Sequence, residues 1–179
     1  MSPRTSLISV FSLGLAALSG VVAQDTLPYN FALAALNVTE PNANSTGAPL
    51  TLSSTGASTG VVGFMTATVA SVGYDDWTGF SLEGGVVNAH FKDGATVANA
   101  TATDSGDWMG FVTGNVDVST VQYSVVESEG VEFSKLALNG DADSWSLCPW
   151  NVGLPKVGVM YKATERFCYA VTLQIVPLE

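Results

Sequence analysis

Apolar and β-branched residues recur in short runs with a period of two along this chain, and no window beyond its first two dozen residues carries a helical period. The runs are Phe31–Val38, Val61–Ser71, Thr78–Leu82, Val86–Phe91, Met109–Thr113, Val121–Val126, Val131–Leu138, Trp145–Leu147, Lys156–Lys162 and Cys168–Val176. Turn signals separate several of them, among them Lys92-Asp93-Gly94, Glu129-Gly130 and Asn139-Gly140. This spacing predicts an all-β, single-domain β-sandwich or β-barrel, with a β-trefoil as the alternative. Residues 41–60, rich in Ser, Thr, Asn, Gly and Pro, read as a long polar surface loop.

The first residues follow a different logic. Arg4, an apolar run from Leu7 to Leu18 and the small-residue end Val21-Val22-Ala23 have the three parts of a secretory signal peptide, so residues 1–23 are expected to be removed. The run is too short for a bilayer-spanning helix, which needs about 20 apolar residues, and it is broken by Ser9, Ser12 and Gly14. Residues 24–179 then make one domain, secreted to the outside or to a cell wall.

In that compartment two cysteines have a simple reading. Cys148 and Cys168 are the only pair, and they are expected to form one disulfide. Three N-x-S/T sequons, at Asn37, Asn44 and Asn99, are candidate glycan acceptors. Six basic against 16 acidic residues give a net charge of −10, which opposes binding to nucleic acid or to anionic membranes because both are polyanions.

Few constellations point to chemistry. His90 is the only histidine and no G-x-S-x-G elbow accompanies it, so a solvated strand histidine is the expectation rather than a general base. Zinc needs clustered His and Cys, which the chain lacks, and Asn139–Ser144 alternates oxygen ligands without the later bidentate Glu of a calcium loop. No metal or other cofactor is expected. The carboxylate pairs Asp75/Asp76, Glu127/Glu129 and Asp141/Asp143 each adjoin a turn, where acids ordinarily solvate or cap the loop. No catalytic residue is therefore assigned.

The motif D-W-x-G-F occurs twice, at Asp76–Phe80 and Asp107–Phe111. Two equivalent strand starts, each with an aromatic pair in the core, explain it most simply. The rival reading makes Trp77 and Trp108 a sugar-stacking platform and requires both indoles exposed on one face. Trp150 joins that rival because it follows Cys148-Pro149 in what reads as a loop.

The C-terminal third runs through a Gly turn, Trp145-Ser146-Leu147-Cys148-Pro149, Val157-Gly158-Val159-Met160-Tyr161 and Cys168-Tyr169-Ala170-Val171-Thr172-Leu173. In this order it resembles fungal secreted cell-wall proteins related to the phialide protein and to IgE-binding allergens. Phe31–Leu36 looks like their opening strand, and Tyr123–Phe133 like the strand, turn and strand before their first Cys-Pro. The chain departs from them with Asn37-Val38-Thr39-Glu40-Pro41 where they carry a Ser-Gly-Ser-Pro-like turn. The resemblance implies a fungal extracellular or wall protein with no cofactor and no transferable catalytic residues, perceived by a host as allergen or elicitor. The expectation is a non-enzymatic wall-associated or effector-like protein whose partner is a cell-wall polysaccharide or a host or cell-surface protein. A carbohydrate-binding module and a small carboxylate-dependent glycoside hydrolase are the rivals.

Overall fold

In the computed structural model, the described residues are 24–58, 60–114, 122–127, 130, 132–150 and 155–179. The proposed signal peptide, residues 1–23, lies outside them, as does Glu129. Among the described residues twelve strands follow one another: β1 (Phe31–Asn37), β2 (Ala48–Ser58), β3 (Val61–Thr68), β4 (Trp77–Glu83), β5 (Val86–Phe91), β6 (Val97–Ala100), β7 (Gly110–Thr113), β8 (Tyr123–Val126), β9 (Ser134–Leu138), β10 (Trp145–Trp150), β11 (Lys156–Tyr161) and β12 (Tyr169–Pro177). A single helical turn, α1 (Val69–Val72), interrupts the run expected as one strand over Val61–Ser71. Gly73, at φ +80°, ends it by returning its N–H to the Val69 carbonyl at 2.8 Å.

Nine strands close into a barrel in the order β1-β12-β10-β11-β3-β7-β6-β5-β4, with β4 meeting β1 again at Phe31 opposite Phe80. All pairings are antiparallel, and the longest ladder joins the two ends of the domain, Phe31 opposite Pro177 through Asn37 opposite Val171. The β8–β9 hairpin is appended to β12. Of the three fold expectations, the barrel is the one adopted.

Strand β2 is the main departure from the sequence reading. Residues 41–60 do not form one long loop: β2 starts at Ala48 and pairs with β3 along Leu50–Ser58 and with β1 at Ala48 and Pro49. Its Ser and Thr residues suggested a solvated loop, yet Leu50 and Leu52 alternate with Thr51 and Ser53, and all four are buried. Small hydroxyl side chains lie here where two layers meet, a place where composition misleads and alternation does not. The polar loop is thus confined to residues 38–47, and it folds back so that the Gln174 amide donates to the carbonyls of Ser45 and Thr46, each at 3.0 Å.

One face of the strands builds the main core, which contains Phe31, Leu52, Trp77, Phe80, Phe111, Trp145, Leu147, Val159 and Leu173. Trp145 stacks on Tyr123 at 6.4 Å and 7°, contacts Tyr161 at 5.0 Å, and donates its indole N–H to the Leu136 carbonyl at 3.0 Å. The opposite face of β2, β3, β11 and β10 carries a second, thinner buried layer. Cross-strand partners share a face, and Thr51, Ala67, Gly158 and Cys148 form one register row across these four strands.

Two-residue turns set the hairpin registers. Asn139 and Gly140 have φ of 52° and 79° between the mutually bonded Leu138 and Asp141, the type I′ geometry that an Asn-Gly pair favours. Gly84 and Gly85, at 55° and 82°, join β4 to β5 in the same way.

Candidate functional site

The two D-W-x-G-F motifs part company in three dimensions. Phe80 and Phe111 are both buried and pack at 6.1 Å, as equivalent core positions should. Trp77 is also core, only 4 % exposed and wedged edge-on between Phe64 at 4.9 Å and Phe91 at 5.3 Å. It cannot stack a sugar, which corrects its candidacy. Trp108 instead lies half-buried on the opposite side, bridging β11 at Met160.

There Trp108 meets Trp150. Trp150 is not in a loop: it is the last residue of β10, directly opposite Lys156 on β11. The two half-buried indoles lie 6.4 Å apart and are tilted by 51°, so they contact each other and are not coplanar. Trp108 rests on Gly158, where an added Cβ would lie 3.0 Å from its Cζ3 and would overlap the Met65 methyl group. A side chain at position 158 would push Trp108 away, so this glycine sets the seat of the indole.

Lys156 completes the cluster. Its Nζ lies 5.3 Å from the Trp150 ring centroid, within the range of a cation–π contact. The same ammonium reaches past β3 to donate to Ser53 Oγ on β2 at 2.7 Å. Ser53 is completely buried, and so is Thr51 two residues before it on the same face, whose Oγ1 has no hydrogen-bond partner among the described residues. No sequence signal marked Lys156 or Ser53: they are 103 positions apart, and strand order alone brings them together.

The remaining candidates fall into structural settings. Cys148 and Cys168 are joined, 4.3 Å apart at Cα, one residue beyond the last β10–β12 pair, Leu147 opposite Tyr169. Asn44 is exposed and its Oδ1 accepts from Thr46 Oγ1 at 3.0 Å and Gly47 N at 2.7 Å. Asn37 Oδ1 similarly accepts from Thr39 N, Thr39 Oγ1 and Glu40 N, whereas Asn99 is half-buried in β6 opposite Asn88 and Val112. His90 is not simply solvated, because its Nε2 shares a 3.0 Å hydrogen bond with Ser81 Oγ across β4 and β5. No carboxylate bonds its other ring nitrogen among the described residues, so the orienting third group of a hydrolytic triad is missing there.

Four of the acids are similarly occupied. Asp76 pairs with Lys92 at 2.7 Å and Asp143 with Lys135 at 3.1 Å. Burial acts to raise the Asp141 pKa, but bonds from Ser144, Asp143 N–H and Tyr161 OH, together with the Lys162 charge, hold it below the usual carboxylate value. Asp93 is held low by Thr96 and Ala95 in the turn between β5 and β6. Among the described residues, no group of three or more His, Cys, Asp or Glu side chains is placed to hold a metal ion, and no helix is long and apolar enough to cross a membrane. No family model matches the chain, and neither a curated protein nor a solved structure does.

Proposed function

We propose that the protein is a secreted, non-enzymatic extracellular protein of a fungus, associated with the cell wall or acting as an effector or allergen-like protein on a host. The observation that carries this reading is the Cys148–Cys168 bond, closed beside the β10–β12 ladder, which agrees with an oxidising compartment. The signal-peptide pattern of residues 1–23, the sequence resemblance to fungal wall proteins and the exposed Asn44 sequon agree with it. The test is to express the full, tagged chain in a filamentous fungus and fractionate medium, wall and cytosol. Recovery from medium or wall, with the N-terminus starting after Ala23, is the expected result; retention in the cytosol would refute it.

Carbohydrate binding through Trp108 and Trp150 is the second reading, favoured by the contact of these two half-buried indoles beside β10 and β11. It predicts saturable retention on insoluble chitin, β-glucan or cellulose that Trp150→Ala abolishes in a protein that still folds. Trp77→Ala is a poor control, because emptying a buried indole site costs about 3–5 kcal/mol and any lost binding would report unfolding.

A further inference from the structure

Cations are scarce in this chain, and most have a visible task. Lys92, Lys135 and Lys162 each face an aspartate, at 2.7, 3.1 and 3.6 Å, while Arg166 is exposed on the β11–β12 turn. Lys156 differs from all of them. It is half-buried, and among the described residues its ammonium has no carboxylate within ion-pair distance and meets instead a buried hydroxyl and an indole face. The chain has 16 acidic residues, and none of those described is placed against this ammonium.

We infer that Lys156, Trp150 and Trp108 form a binding site for a small ring-bearing monocarboxylate, with the carboxylate on Lys156 Nζ and the ring against the indoles. An ammonium has three N–H donors, and Ser53 takes one. The two indoles supply an apolar surface beside it, tilted by 51° and anchored by contact with each other and with Gly158. The general acidity that repels polyanions opposes a single negative charge far less, because distant acids are screened beyond about 10 Å at ordinary ionic strength and the cation is in contact. The chemistry fits two sources, a sugar acid and an aromatic acid.

Tryptophan fluorescence of the purified disulfide-bonded protein tests this, with galacturonate against galactose and benzoate against benzyl alcohol as the titrants. At least one carboxylate should saturate with an affinity at least tenfold above its neutral partner, and salt should weaken it; which of the two does so identifies the source. Lys156→Gln should remove the preference for the acid, Lys156→Arg should keep it, and Trp150→Phe should weaken both members of the pair. Far-UV circular dichroism and the melting temperature confirm that each variant is folded. Should Lys156→Gln fail to fold, the wild-type acid-to-neutral ratio and Lys156→Arg still decide. Equal affinity for acid and neutral partner, an unchanged preference in folded Lys156→Gln, or no saturation by either carboxylate would overturn the inference.

Discussion

Tyr123 shows how one buried hydroxyl ties stability to pH. It is fully buried, and desolvation pushes its pKa from 10.0 up to about 12, against the smaller opposing effect of the hydrogen bond with Thr103. Between those values the unfolded chain has lost the phenolic proton while the folded one retains it. Stability is therefore complete below about pH 10 and falls as pH rises toward 12, by up to about 3 kcal/mol. Denaturation midpoints from pH 9 to 12 should show that decline, and Tyr123→Phe should remove most of it. Gly158→Ala tests a second contact: Met65 can swing aside but Trp108 cannot without leaving Trp150, so we expect a loss of about 1–3 kcal/mol and altered tryptophan emission. At this scale the sequence was partly legible. The buried phenylalanines of the repeated motif could be anticipated, but the divergence of Trp77 and Trp108 could not, because β4 is irregular between Trp77 and Gly79 while Trp108 precedes β7 and bridges β11.

Among the elements, hairpins with strong turn chemistry were the readable ones. Asn139-Gly140 announced the turn after β9, and Gly140→Ala should cost about 1–2 kcal/mol because a Cβ is strained at φ +79°. Chemical denaturation of that variant measures it. Strand β2 was hidden by its hydroxyls, which outnumber its two leucines, and β6 by its alanines, since buried strands are recognised by runs of large apolar side chains. The disulfide was legible from cysteine count alone, and its loop of 20 residues should contribute on the order of 3 kcal/mol through loop closure in the unfolded chain. Cys148→Ala/Cys168→Ala should lose about that much in denaturant. The unreduced, denatured wild type should offer no thiol to an alkylating reagent; modification of both cysteines would contradict the bond. Lys156 belongs to this scale too: it meets Ser53 only because β3 lies between β11 and β2, an arrangement that period-two alternation leaves open.

Taken whole, the barrel is closed by contacts between distant parts of the chain. The β1–β12 ladder joins Phe31 to Pro177, and β11 finds β3 through Gly158 opposite Ala67. Such pairings require loop closure before they yield stability, so refolding of the reduced protein should fall in the millisecond-to-second range or slower and show no microsecond phase. Stopped-flow tryptophan fluorescence measures this, a microsecond phase being revealed as amplitude lost in the dead time. Alternation and turns indicated a β domain, and the barrel was among the expected architectures, but strand order was out of reach because no local pattern names a strand's neighbour.

That order also matters during synthesis. Strand β12 lies between β1 and β10, and the residue just before it, Cys168, is the second cysteine of the disulfide. On the ribosome, everything from β1 to β11 can emerge and still face an open seam with two unsatisfied edges. The nascent chain must therefore stay unsealed, and dependent on whatever shields exposed strands during synthesis, until residues 169–177 are free to slide into the gap.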